Sequence, residues 1–172
     1  MRKVSLLFAA TFLLLGFSKI TYGQASATAN VSATIIAPIA ITKTNDMNFG
    51  RAAATAAAGN VVLTPAGTRS FTGGVTLPSF GGTGDVSPAI FTVSGAPTYT
   101  YSITLPTTAT TIANGANTMT VDTWTSDPTP TGTLASDGTQ TLNVGATLHV
   151  GANQAPGLYT SATPFTVTVN YN

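Results

Sequence analysis

From Ala27 to Ile41 every odd-numbered residue is apolar (Ala27, Ala29, Val31, Ala33, Ile35, Ala37, Ile39, Ile41), while the even positions open with Thr28, Asn30, Ser32 and Thr34. Successive side chains of an extended chain point to opposite sides, so a period of two marks a β-strand with one face turned to a core. One phase held over about fifteen residues, at about 3.3 Å each, spans roughly 50 Å, well beyond the usual strand of about three to ten residues. The run must therefore be interrupted or extend past its own domain. Pro38 offers a break, because it has no N–H to give to a ladder. Three outcomes stay open at this point. The strand bends at Pro38 and crosses between the sheets of its own domain; or the part before Pro38 leaves and completes the sheet of a neighbouring copy; or it is disordered near the terminus. In the second case Ala29, Val31, Ala33 and Ile35 are the groove-filling side chains.

The same period recurs along the chain, bounded each time by Gly, Pro, Asn or Asp, and helical periodicity is hard to find after Ala25. Strands are expected at about Ala27–Thr42, Val61–Thr64, Ser70–Leu77, Ala89–Ser94, Thr98–Leu105, Thr118–Thr125, Gln140–Val150 with a break near Gly145, and Phe165–Tyr171. Phe91 and Val93, a Gly95-Ala96-Pro97 turn, then Tyr99, Tyr101, Ile103 and Leu105 read as the clearest hairpin. Ala52–Ala58, with no apolar stripe, reads as a loop. About seven to nine short strands in this length predict an all-β, immunoglobulin-like two-sheet sandwich, with a closed barrel as the alternative. The end of the chain, Phe165-Thr166-Val167-Thr168-Val169-Asn170-Tyr171-Asn172, is still in strand pattern, which makes it either a last core strand with no partner role or one that places Tyr171 and Asn172 at a domain edge where a partner could recognise them.

Ahead of all this stand Met1, Arg2 and Lys3, an apolar run from Val4 to Phe17, and a small-residue stretch ending Gly23-Gln24-Ala25. That layout predicts a cleaved signal peptide over 1–25 and export, and a run of about 14 residues is shorter than the roughly 20 a spanning helix needs. Residues 26–172 then form one domain of about 147 residues, a size that supports one real core. That domain keeps Lys43, Arg51 and Arg69 against five aspartates, a net charge of −2. No basic patch remains to follow a phosphate backbone, so nucleic acid is not an expected partner. Charged residues make up 6% of the sequence, against an ordinary fraction of about 25%. A surface wetted by threonine rather than by charge is poorly protected against edge-to-edge strand pairing, a liability in a monomer and a convenience in a polymer. The chain has no cysteine, so stability must come from core burial and strand pairing alone.

Reactive chemistry has little to draw on. There is no Cys, no Glu and one His, which argues against nucleophile–base pairs and metal clusters and leads to the expectation of no enzyme activity, no cofactor and no metal. His149 alternates with Leu148 and Val150 and is expected to face solvent or a sheet edge. Asp46, Asp85, Asp122, Asp127 and Asp137 lie mostly beside turn residues, and no spacing pairs two of them for glycoside hydrolysis or gathers them for calcium. Gly81-Gly82-Thr83-Gly84 lacks the Lys and helix of a phosphate loop. Trp124, the only tryptophan, is either a core residue or a platform for a sugar face.

Several stretches in fixed order carry a resemblance. They are Ala33-Thr34-Ile35-Ile36-Ala37-Pro38-Ile39-Ala40-Ile41-Thr42, Asp46-Met47-Asn48-Phe49-Gly50, Gly73-Gly74-Val75-Thr76-Leu77, Phe91-Thr92-Val93-Ser94-Gly95 and Tyr101-Ser102-Ile103-Thr104-Leu105, followed by Met119-Thr120-Val121-Asp122, Gly151-Ala152-Asn153-Gln154 and the Val167–Asn172 ending. Together they resemble a bacterial exported family known as domain of unknown function number forty-four-oh-two. That family is in turn distantly similar to the spore-coat-U and archaic chaperone–usher pilins, through the alternating N-terminal segment, Asn48-Phe49-Gly50 and the penultimate Tyr171; those pilins commonly carry a cysteine pair that this chain lacks. The resemblance implies a sandwich subunit of a surface fibre, joined to further copies of itself by donor-strand exchange. It also implies a periplasmic chaperone facing Tyr171 and Asn172 and an outer-membrane usher. The rival expectation is a self-complete surface module that binds glycan or matrix near Trp124 and Gly81–Asp85.

Overall fold

The computed structural model describes residues 23–78 and 85–172. The signal peptide expected over the first residues and the loop at Gly81–Gly84 lie mostly or wholly outside them. The chain divides into two units, Met1–Ile35 and Ile36–Asn172. In the first, residues 23–35 form no strand and every one is exposed.

The second unit is all-β, with no helix among the described residues. Its strands are β1 (Ala40–Asn45), β2 (Asn48–Phe49), β3 (Ala53–Leu63), β4 (Arg69–Thr76), β5 (Val86–Ser87), β6 (Ala89–Ser94), β7 (Thr100–Thr104), β8 (Thr110–Asn114), β9 (Asn117–Asp127), β10 (Thr131–Thr133), β11 (Thr139–Val150), β12 (Thr160–Ser161) and β13 (Thr168–Tyr171). An eight-stranded sheet runs β1-β6-β11-β9-β8-β12, with the β3–β4 hairpin attached to the second half of β11. A three-stranded sheet runs β10-β7-β13, and β2 pairs with β5. Every pairing is antiparallel.

β11 organises the molecule. Its first half, Thr139–Val144, pairs with β6, and its second half, Ala146–Val150, pairs with β3 along the same edge. The register against β9 shifts between Gly145 and Thr147, at the break the sequence predicts. Because side chains alternate, Leu142, Val144, Ala146, Leu148 and Val150 all face inward and serve two hydrophobic clusters. One gathers Ala89, Val93, Leu142 and Val144 of the large sheet with Tyr101, Leu134, Val167 and Val169 around the small sheet. The other gathers Val61, Val75, Val121, Ala146, Leu148 and Val150, all within the large sheet. Met47 and Trp124 touch both clusters. No buried side-chain nitrogen or oxygen among the described residues lacks a hydrogen-bond partner, as a low-dielectric interior demands. The Tyr101 hydroxyl, for example, donates to Gln140 Oε1 at 2.8 Å.

Three expectations are corrected. The strand expected to begin at Ala27 begins at Ala40, so the alternating run before Pro38 makes no ladder; an apolar stripe needs a partner edge to become a strand, and Ile39 and Ile41 are the members that find the first cluster. The expected Phe91–Leu105 hairpin does not form, because β6 pairs with β1 and β11 while β7 pairs with β10 and β13. The Gly95–Pro97 turn therefore carries the chain from one sheet to the other. Ala53–Ala58, expected as a loop, is strand; Ala53 and Ala54 lie opposite Thr76 and Val75 in β4, and a register shift before Gly59 is met on the partner by Gly73 at φ 68°. Pairing with β4, not an apolar stripe, holds Ala53 and Ala54, and residues 55–58 are the extra length of the register shift.

Candidate functional site

The residues singled out as groove-filling stand in the open. Ala29, Val31, Ala33 and Ile35 are all exposed, with Val31 97% and Ile35 91% accessible. A folded chain normally spends such β-branched side chains on its core, and six exposed large hydrophobics are found among the described residues, two of them here.

Tyr171 and Asn172 close the last strand. β13 stands at the end of its sheet, paired through Thr168–Thr104, Val169–Ile103, Asn170–Ser102 and Tyr171–Tyr101, with no strand on its far side among the described residues. The Asn172 N–H continues the pairing to the Thr100 carbonyl at 3.3 Å. Tyr171 reaches well beyond its own strand: its hydroxyl donates to the Ala37 carbonyl at 2.9 Å and accepts the Ala96 N–H at 2.6 Å. Its ring meets Tyr99 edge-on, with centroids 5.7 Å apart. A Cβ at residue 95 would strike the Tyr171 hydroxyl, which gives Gly95 its reason. Ala37 is thus tied to the C-terminal strand, two residues past the end of the first unit.

Trp124 is half-buried, its ring tilted 35° on Phe165 with centroids 4.4 Å apart, and its Nε1–H points to the Thr108 carbonyl at 3.4 Å. Beside it opens a cleft of about 630 Å³ walled by threonines and by Leu105, Pro106, Pro164 and Phe165. Trp124 itself is not in the wall.

His149 lies in the middle of the large sheet rather than at an edge, and its side chain is 40% accessible, the solvent-facing alternative of the expectation. Its Nδ1 is 2.9 Å from Asn60 Oδ1 on β3 and its Nε2 is 2.6 Å from Asp122 Oδ1 on β9, so one imidazole bridges three strands. Asp122 also accepts the Thr123 hydroxyl at 2.9 Å. The His149 hydrogen bond, and after it the Thr123 hydroxyl, hold the Asp122 carboxyl below its usual pKa. Neighbouring sequence positions gave no sign of this arrangement, which depends on register. Among the described residues no group of three or more His, Cys, Asp or Glu gathers at one place.

Comparison with known proteins completes the picture. Neither the curated proteins nor the solved structures contain a match to the chain. A family model, described as "Domain of unknown function (DUF4402)", matches residues 39–171, from Ile39, just ahead of β1, to Tyr171 in β13. That span covers most of the molecule, and the chain therefore belongs to the DUF4402 family.

Proposed function

We propose that the protein is an exported, non-enzymatic structural subunit of a surface fibre, in which the alternating segment of one copy completes the sheet of the next. In this reading residues 1–25 are a signal peptide and the remainder is an immunoglobulin-like two-sheet sandwich. This reading takes β1-β6-β11-β9 as the A-B-E-D sheet of that architecture, and β7 and β13 as C and F, a strand order compatible with it. The place of a G strand, beside β13, holds no strand among the described residues.

The observation that carries the proposal is a complementary pair of deficiencies in one chain. An alternating apolar segment has Val31 and Ile35 almost wholly exposed, and the sheet edge at β13 has no partner strand among the described residues. Bare edges and bare stripes are both hazards for a monomer and are removed together by strand addition. The distant similarity to chaperone–usher pilins points the same way and brings with it a periplasmic chaperone to cover the edge before assembly and an outer-membrane usher to thread the fibre.

The test compares boiled and unboiled samples of sheared surface protein on a denaturing gel, detected with an antibody to the mature domain. A ladder of multimers that collapses on boiling is the expected result. A single monomer band under both treatments would refute strand exchange and favour a self-complete surface domain.

A further inference from the structure

The strand at the end of the small sheet and the root of the exposed alternating segment are joined by one side chain. Tyr171 belongs to β13, yet its hydroxyl is bonded to the Ala37 carbonyl, immediately before Pro38 and the start of β1. The same oxygen accepts the Ala96 N–H, in the turn that carries the chain between sheets. Ala37 offers few other anchors: residues 36–38 are exposed and outside every ladder, and Pro38 has no N–H to offer. What fixes residue 37 is a phenol whose backbone belongs to the edge strand.

We propose that Tyr171 is a positioning residue that couples the two ends of the subunit, so that a strand added along β13 orders the root of the subunit's own N-terminal segment. This rests on the reading of β13 as an acceptor edge. An added strand supplies backbone hydrogen bonds to residues 168–171 and restricts the motion of Tyr171 with them. A steadier hydroxyl holds Ala37 more of the time, and the segment beyond it is presented with less freedom to lose on its own docking. Coupling of this kind is reciprocal: whatever orders residue 37 also favours addition at β13. A growing chain of subunits would then extend more readily from a subunit that is already filled than from an isolated one.

Hydrogen exchange on the full mature protein tests this, with a synthetic peptide of residues 26–36 as the added strand. In the wild type, saturating peptide is expected to slow exchange at residues 168–172 and also, by about threefold to tenfold, at residues 39–42, an effect of the size a single hydrogen bond supports. In Tyr171→Phe, which keeps the ring on Tyr99 and removes both hydroxyl bonds, protection at 168–172 is expected to persist while the slowing at 39–42 disappears. Protection at 168–172 in the wild type without any change at 39–42 overturns the coupling and leaves the acceptor edge standing. Equal slowing at 39–42 in both proteins overturns the role of Tyr171. Absence of protection at 168–172 removes the acceptor edge itself, and the coupling with it.

Discussion

Replacing Val31 and Ile35 together by Asp separates a side chain's value in assembly from its value in the fold. In the isolated subunit these residues are 97% and 91% accessible. Substitution there removes no burial and is expected to move stability by no more than about 0.5 kcal/mol. In a filled groove the same two side chains would leave water, each contributing about 1.5–3 kcal/mol. The pair thus accounts for about 3–6 kcal/mol, roughly a hundredfold to ten-thousandfold in the association constant. Two carboxylates facing an apolar groove add a desolvation penalty of several kcal/mol more. The expected outcome is an unchanged urea midpoint for the purified monomer and loss of the boiling-sensitive multimers. Normal multimers from the double variant would refute the reasoning. So would a large fall in the monomer's midpoint, since it would mean that the two residues support their own domain.

Two further outcomes concern the body. Leu142→Ala, at a side chain with no exposure where β11 meets the first cluster, should cost about 2–5 kcal/mol, read as a lowered urea midpoint with an unchanged slope. Asp122 has a folded pKa below its ordinary value of 3.8 because His149 and Thr123 donate to it. It therefore adds stability above that pH and loses it as the pH falls through its lower, folded value. The difference in urea midpoint between wild type and Asp122→Asn should shrink between pH 5 and pH 2; a gap that widens with acid would contradict the assignment.

Much of the fold was legible because its strands are half-buried and write their period directly into the sequence. β6, β9, β11 and β13 fall where Val, Ile, Leu and aromatic residues alternate with Thr and Ser, and Gly145 marks the register shift. Pairing was less legible, since it depends on contacts far apart in sequence: nothing local says that Ser94 lies between Ala40 and Thr139, or that the turn at Gly95 changes sheets. Ala53 and Ala54 of β3 are laddered because β4 lies beside them, a tertiary cause with no local pattern. For the candidate site, the sequence pointed to Val31, Ile35 and Tyr171 through alternation and position. The tie from Tyr171 to Ala37 and the bridge from His149 to Asp122 and Asn60 needed the register.

The place of β11 also sets a timetable. Both hydrophobic clusters depend on residues from this one strand, and the first also waits for Val167 and Val169. A chain synthesised from its N-terminus therefore has most of its strands in hand, β1 through β10, before either cluster can close. The pairings that follow span large loops, the kind of topology that folds in milliseconds to seconds rather than microseconds. No cysteine is available to lock a partial structure in the interval. A chain stopped before Thr139 would hold the outer walls of the domain with nothing to join them, and completion comes as one late event when Thr139–Val150 arrives.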